Sequence, residues 1–349
     1  MGFNKGEWSE LYTFLHLLEE PNLVIVDENL ETIEENIFIV LEIILAKARY
    51  SILDEKIIKM VDDKNIKEYQ IACISKQNSI LLQKILSHKK AKGSFEIKEL
   101  ETLIDDLFDG KKPKGSSKIK GDLEANLLDK RQSKTVTLKY NIKSNLGSKA
   151  TLLNASNHTN FIYEIKNIND EIMNKSNNIK SRKKLLEKCE FLNQHGAVFD
   201  FIKTESAVFG NNLKLIDSKL DEILAKMLIL SYERNEKDIK KLLSRIIDNK
   251  TSETYYKKKI GDFANAVTFG MRASEEWDGT NEVNGGIIIV TKSGKVYLLD
   301  LIYFKTIVDK YLIDNIKLDS PSSKRYKMFD IYKKDGRYYF KLNLQVRFK

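Results

Sequence analysis

Cysteine is nearly absent: only Cys73 and Cys189 occur in 349 residues. Two cysteines cannot build a disulfide framework or a cysteine zinc cage. Such sparing use fits a reducing compartment, so a cytoplasmic location is expected. Histidine is scarce as well. His16, His88, His158 and His195 form no HxxxH or HxH pair, so no zinc site is expected. No run of about 18 apolar residues occurs, so neither a transmembrane helix nor a membrane partner is expected. The first eight residues lack the apolar stretch and small-residue cleavage site of a secretory signal. No GxGxxG precedes a helical pattern, and no GxxxxGKS/T or GxSxG occurs, so phosphate-cradling loops and nucleophile elbows have no support. The three prolines, set against abundant Lys, Asn and Ile, carry little functional information.

What is present is a chain 42% hydrophobic and 31% charged, enough to bury a core and to exclude wholesale disorder. Its 59 basic and 50 acidic residues leave a formal charge of +9. A basic balance favours polyanions, because Lys and Arg displace counterions condensed on nucleic acid. The apolar spacing predicts helices over residues 7–20, 30–48 and 97–108, with a short strand at 23–26 and helical or mixed patterns at 52–61 and 74–86. A basic, Gly- and Ser-rich segment follows at 110–118. Residues 119–128 and 135–143 then read as two strands joined by a polar turn, the second alternating cleanly through Val136, Leu138, Tyr140 and Ile142. Charged helix is expected over 165–192 and 213–247, the latter broken near 232–235. A second hairpin is expected at 285–303, and strands at 329–332, 338–344 and 345–348. The fold class is therefore α+β, with a helical N-terminal part and a β-rich C-terminal region. Four stretches are expected: 1–110, mainly helical; 111–165, the hairpin and the loop after it; 166–265, charged helix; and 266–349, β-rich.

The central hairpin carries the chemistry. Asp122 opens one strand and Lys143 closes the next, so the pair can meet at one end of the sheet. A carboxylate binds a hard divalent cation such as Mg²⁺ through oxygen. The metal polarises a phosphoryl oxygen, and a nearby lysine orients water and offsets charge in the transition state. Phosphodiester hydrolysis needs such a pair. The same spacing also occurs between ordinary surface residues, and taken alone it leaves both readings open.

Several longer segments decide more. Lys5-Gly-Glu-Trp-Ser-Glu-Leu-Tyr12, Ile142-Lys-Ser-Asn-Leu-Gly147, Thr151-Leu-Leu-Asn-Ala-Ser156, Thr159-Asn-Phe161 and Lys341-Leu-Asn-Leu-Gln-Val-Arg-Phe348 lie in this order across nearly the whole chain. With these segments the chain resembles the HpaII-type type II restriction endonucleases of the PD-(D/E)XK nuclease superfamily. The resemblance implies a mixed sheet flanked by helices and Mg²⁺-dependent cleavage of double-stranded DNA at CCGG. It also implies a companion DNA methyltransferase acting on the same site. It makes Asp122 the metal-binding acid and Lys143 the motif lysine. Two residues before that lysine the superfamily usually has Asp or Glu, whereas this chain has Asn141. A second metal carboxylate would then come from Glu124, or from Glu10 on the first helix in preference to Glu7.

DNA contacts are expected elsewhere. The 144–149 loop, with Ser144, Ser148 and Lys149, can offer N–H groups and hydroxyls to phosphate. Asn154, Ser156, Asn157 and Asn160 are of the kind that reads base edges, although polar loops with Asx turns look the same. Arg325, in the basic 320–327 segment, is the best single candidate for a guanine or phosphate contact, while Arg347 alternates with apolar residues and reads as structural. The basic 180–188 stretch could track phosphate. Trp8 and Trp277 are assigned to packing. A palindromic target suggests a homodimer. Asn141 keeps open a second reading, a non-catalytic DNA-binding protein on a nuclease scaffold. Basicity alone supports a third, RNA binding.

Overall fold

The computed structural model describes residues 2–45, 48–54, 56–63, 65–88, 93–108, 121–147, 149–247 and 250–349. The basic 110–118 segment and Ser148 lie outside the described residues. The chain divides into two compact units, one of residues 1–150 with 281–311, the other of 151–280 with 312–349. Both mix helices and strands, as the α+β expectation requires. No described helix is long and apolar enough to cross a membrane.

The first unit opens with β1 (Phe3–Asn4) and α1 (Lys5–Glu19). Asn4 caps α1 by accepting from the Gly6 and Glu7 N–H groups, and the Glu7 carboxylate returns to the Asn4 N–H at 2.8 Å. That reciprocal capping box satisfies N–H groups that the helix cannot satisfy itself. Then come β2 (Ile25–Val26), β3 (Thr32–Glu34), β4 (Phe38–Leu45), β5 (Ala48–Ile52), β6 (Ile57–Val61), β7 (Ile66–Gln70), α2 (Ile71–Ser87), β8 (Ser94–Phe95) and α3 (Glu101–Phe108). The hairpin β9 (Leu123–Asp129) and β10 (Lys134–Ser144) completes the continuous part.

The second unit begins with β11 (Thr151–Leu153), β12 (Asn160–Lys166), α4 (Asp170–Asn177), α5 (Lys184–Gln194) and β13 (Val198–Thr204). Helices α6 (Ala207–Ile216), α7 (Leu220–Glu233), α8 (Ile239–Ile246) and α9 (Lys250–Phe269) follow. The chain then supplies β14 (Gly286–Val290) and β15 (Val296–Asp300) to the first unit, and α10 (Lys305–Asn315) leads back to the second. There it ends with β16 (Ile316–Leu318), β17 (Tyr332–Lys334), β18 (Arg337–Asn343) and β19 (Val346–Phe348).

A ten-stranded mixed sheet organises the first unit, in the order β3-β2-β15-β14-β10-β9-β4-β5-β6-β7. Strand β10 sits inside it, antiparallel to β9 and parallel to β14. The turn between β9 and β10 forms because Asp129 Oδ1 accepts the Arg131 and Gln132 N–H groups, an Asx turn. Leu123, Ala125 and Leu127 of β9 and Leu138 and Tyr140 of β10 join one core with Trp8, Leu11, Leu15 and Leu18 of α1. Two side-chain bonds lock α1 in place: Trp8 Nε1 donates to the Phe95 carbonyl at 3.1 Å, and Tyr12 Oη donates to the Gly294 carbonyl at 2.7 Å. Trp8 is thus a packing residue, as expected.

The helix expected over 30–48 is corrected: the described residues of that stretch form β3, β4 and the start of β5. Phe38-Ile-Val-Leu-Glu-Ile-Ile-Leu45 is apolar at consecutive positions, so period two is hidden. Its β-branched residues suit a strand in mid-sheet better than a helix. Residues 57–61 likewise form a strand. The N-terminal part is therefore as much sheet as helix. In the second unit, β13-β12-β18-β17 and β11-β19-β16 form separate sheets, and the break expected at 232–235 falls between α7 and α8.

Two adjacent glycines let β14 lie against β10 and β15. A Cβ on Gly285 would stand 2.5 Å from the Tyr140 ring. Gly286 has φ +129°, and a Cβ there would stand 2.1 Å from the Leu299 carbonyl oxygen. Only glycine adopts that conformation without strain. Gly286→Ala should cost about 3 kcal/mol or more of unfolding free energy, as backbone strain and overpacking combine. Urea unfolding followed by circular dichroism will measure this, and a loss below about 1 kcal/mol would refute the close-approach account.

Candidate active site

Asp122 stands at the mouth of the hairpin. Gly121 precedes it with φ +117°, a turn that a side chain would strain. The Asp122 N–H donates to the Tyr140 carbonyl at 2.8 Å. Its Oδ2 accepts the Ile142 N–H at 2.7 Å. The carboxylate is therefore held by the backbone of the strand that carries Lys143. Lys143 Nζ lies 3.8 Å from the same Oδ2, and the two side chains are 20% and 30% exposed. A half-exposed ion pair contributes about 0–1 kcal/mol, so stability is a weak reason for this arrangement. Both contacts fall on Oδ2, which leaves Oδ1 without a partner among the described residues.

Strand alternation sets the company this pair keeps. Lys139, Asn141 and Lys143 lie on the face of β10 opposite Leu138, Tyr140 and Ile142. Glu124 is paired across the ladder with Lys139, their charged atoms 3.6 Å apart, so it shares that face. Asn141 is buried, beside Ile287 of β14. Glu10 is half-buried on α1, whose apolar side chains join the core face with Leu123 and Tyr140. Glu7 is engaged in the capping box, its carboxylate accepting from the Asn4 N–H. Among the described residues, no group of three or more His, Cys, Asp or Glu could by itself hold a metal ion. The donor set that is present consists of hard oxygens: one pinned carboxylate, a neighbouring carboxamide and a second carboxylate two residues along. Mg²⁺ takes one or two carboxylates and completes its shell with water and substrate phosphate, so these residues fit it.

After β10 the chain turns at Ser144, whose Oγ accepts the Leu146 N–H at 3.0 Å. Lys149 is exposed, and its Nζ reaches Asn145 Oδ1 at 3.3 Å. Lys5 Nζ donates to the Leu146 carbonyl at 3.4 Å, tying the start of α1 to this loop.

The other expected DNA contacts belong to the second unit, and the structure separates them. Asn160 is corrected: it is 3% exposed, and both ends of its amide are engaged. Nδ2 donates to Glu205 Oε2 at 2.7 Å, and Oδ1 accepts from Asn343 Nδ2 at 2.6 Å. Asn343 also donates to the Ser156 carbonyl, and the Thr159 hydroxyl reaches Asn343 Oδ1. Lys341 closes the network as the ion partner of Glu205. Burial pushes the Glu205 carboxyl up, but its bonds to Lys341 and Asn160 outweigh this and hold it below the usual range. Ser156 Oγ accepts the His158 N–H and so serves the turn before β12. Asn154 and Arg325 differ, since both are exposed. The Arg325 guanidinium lies 5.6 Å from the centre of the Tyr326 ring, and Tyr326 Oη donates to the Ala155 carbonyl at 2.9 Å. Tyr326, unremarked in the sequence, is thus the link that brings 154–156 and 325 together; its place in a basic segment was the only available signal.

A further residue could not be read from sequence. Lys188 is 1% exposed, and its Nζ donates to the Phe329 carbonyl and to Asp330 Oδ1, each at 2.9 Å. Lys327 and Phe329 have φ +49° and +53°, a conformation costly for residues with a side chain. The buried ammonium holds this bent segment directly after Arg325.

The sequence model of a family described as HpaII restriction endonuclease matches residues 4–348. The chain is similar to the type II restriction enzyme HpaII of Haemophilus parainfluenzae, at 32% identity over 356 residues, covering 99% of this chain and 98% of that protein. No solved structure matches.

Asn160→Ala should cost about 2–4 kcal/mol, because it removes at once a buried acceptor of the Asn343 amide and a donor to the Glu205 carboxylate. Asn154→Ala, at an exposed position, should stay within about 0.5 kcal/mol of wild type. Urea titrations of both variants make the comparison, and equal stabilities would show that Asn160 is not a framework residue.

Proposed function

The chain belongs to the HpaII restriction endonuclease family and is a type II site-specific endonuclease, and from that premise we propose that it cuts double-stranded DNA at CCGG with Mg²⁺, through Asp122 and Lys143 on a PD-(D/E)XK core. The observation that carries this reading is the backbone-pinned Asp122 carboxylate facing Lys143 on adjacent strands of a mixed sheet. The reading of CCGG rests on family resemblance, as does the companion methyltransferase that would protect the same site. A palindrome is matched most simply by two copies of the chain related by a two-fold axis.

Asp122 would hold Mg²⁺ together with one further carboxylate, Glu124 or Glu10, while Asn141 would hydrogen-bond water or DNA at the place where the superfamily usually has an acid. When bound, the ion supplies Lewis-acid polarisation of the phosphate and steadies the leaving oxygen. The protein's own groups do the rest. The Ile142 N–H fixes Oδ2 of Asp122, so that Oδ1 needs no reorganisation to accept a ligand. Lys143 stands on the same edge, where it orients the attacking water and balances charge gathering on the phosphoryl oxygens. With Asn141 in place of the usual acid, Asp122 is balanced by Lys143 and Glu124 by Lys139, so the site has little net negative charge with which to attract a cation. The scissile phosphate supplies what is missing. Ser144 and Lys149 follow the catalytic strand and would contact phosphate. Ser148 is assigned to the same loop from sequence. Asn154 and Arg325 are the proposed base-reading groups, Arg325 suited to guanine N7 and O6. Full-length likeness to a restriction enzyme favours this reading over a scaffold that binds DNA without cutting it.

Two outcomes follow. Purified protein with Mg²⁺ should cut unmethylated phage DNA into discrete fragments ending at CCGG. Asp122→Asn, which keeps an acceptor for the Ile142 N–H, and Lys143→Met should each lower the cleavage rate about a thousandfold or more. Fragments ending elsewhere would remove the CCGG assignment alone, and active variants would remove the two residues. In a calorimetric titration, Ca²⁺ should bind the free protein weakly and at least about tenfold more tightly with the duplex present. Equal affinity with and without DNA would contradict the charge account of Asn141.

A further inference from the structure

Within the second unit, cations that are far apart in sequence meet. A pocket of about 510 Å³ is lined by residues 181–186 ahead of and in α5, by the end of α7 and the turn after it, and by residues 318–321 and 323 at and after the end of β16. Arg182, Lys183, Lys184 and Lys237 all contribute to its wall. None of these four cations has an ion-pair partner among the described residues, although lysines elsewhere in the unit are paired, as in Lys166 with Asp200 and Lys333 with Asp170. The acid in the lining, Asp319, is already engaged by Arg347 at 3.4 Å. The pocket therefore concentrates positive charge that the protein itself leaves unbalanced.

We infer that this pocket grips a backbone phosphate of the DNA duplex, away from the cutting site, as a sequence-independent anchor. The inference rests on the DNA-cleaving function proposed above. Charge complementarity selects a polyanion, because clustered cations without acids favour a phosphate that releases counterions. Exposure selects a backbone running past over a small enclosed ligand: Arg182, Lys183 and Lys237 are exposed, and Lys184 is half-buried. Ser320 and Ser323 add hydroxyls of the kind that bond phosphate oxygens. The pocket's last segment ends two residues before the exposed Arg325, so a phosphate held there fixes the register of the candidate reading group.

The test is the salt dependence of duplex binding by full-length protein without divalent metal, measured by fluorescence anisotropy on CCGG and on unrelated duplexes. Arg182→Gln/Lys184→Gln/Lys237→Gln should reduce the slope of log affinity against log salt by about 1, since the single phosphate held in the pocket contributes about 0.9. Affinity for the two duplexes should fall by a similar factor, at least about tenfold near 0.1 M salt, and the sequence cut by saturating enzyme should not change. The control Lys203→Gln/Lys219→Gln/Lys226→Gln removes three lysines of the same unit outside the pocket lining. A pocket variant whose slope falls no more than the control's, while wild type binds and cuts, overturns the inference and leaves the function intact. A mononucleotide bound tightly by wild type and lost in the pocket variant would assign the pocket to a small phosphorylated ligand, overturning the anchor. Wild-type protein that binds no duplex would overturn both readings. Unfolding midpoints equal to wild type establish that the exposed substitutions leave the fold unchanged.

Discussion

One hydrogen bond links the sheet to the candidate chemistry: the Ile142 N–H to Asp122 Oδ2. A carboxylate on a free loop would sample many rotamers, and orienting it would cost entropy at the moment of reaction. Here the acceptor is tied to the main chain of β10, and β10 is fixed by β9 on one side and β14 on the other. Lys143 is the next residue along that strand. The spacing between acid and lysine is thus set by backbone geometry, and the weak ion pair between them need not maintain it. The sheet's demands follow from this. Gly285 and Gly286 permit β14 to approach, and α1, locked through Trp8 and Tyr12, covers the opposite face.

The second unit shows a different balance between framework and function. Its polar residues divide by burial. Asn160, Asn343 and Glu205 form a satisfied network in which removing one member costs each of its neighbours a buried hydrogen bond, so they specify a fold. Asn154 and Arg325 are exposed and lie on loops, where side chains can reach a ligand at little structural cost. Tyr326 and Lys188 connect the two classes. Each engages a loop carbonyl, and together they steady the chain on both sides of Arg325. The strained backbone at Lys327 and Phe329 persists because the buried ammonium holds it.

Much of the first unit's centre was legible in the sequence. The β9–β10 hairpin showed alternation and a polar turn, and the β14–β15 hairpin showed two glycines before a β-branched run. That Asp122 and Lys143 meet at one end of the sheet was readable from their spacing. The helix wrongly expected at 30–48 failed for a physical reason: β4 is apolar at every position but Glu42, and periodicity cannot separate such a strand from a buried helix. Asn160 was misjudged because an amide that reads bases and an amide that ties strands together look alike until burial is known. The pocket cations were visible only as charge runs. That residues 182–184, 237, 318–321 and 323 share one wall depends on long-range packing that no local pattern encodes.

The two groups of candidate residues differ in the rigidity their tasks require. Cleavage needs reacting groups held to within a fraction of an ångström, and a strand paired on both sides provides that. Recognition needs donors that project beyond the framework and can settle against base edges, and exposed loops provide that. Lys143 and Arg325 are both cations near polyanion chemistry, yet they are not interchangeable. Lys143 is a compact charge 20% exposed beside a fixed carboxylate. Arg325 is a planar fork over an aromatic ring, suited to paired acceptors. A lysine on that loop would keep the charge and lose the bidentate geometry. An arginine at 143 would keep the charge and crowd the oxygen on which Asp122 is held. The placement of each residue type follows from what its neighbours leave free.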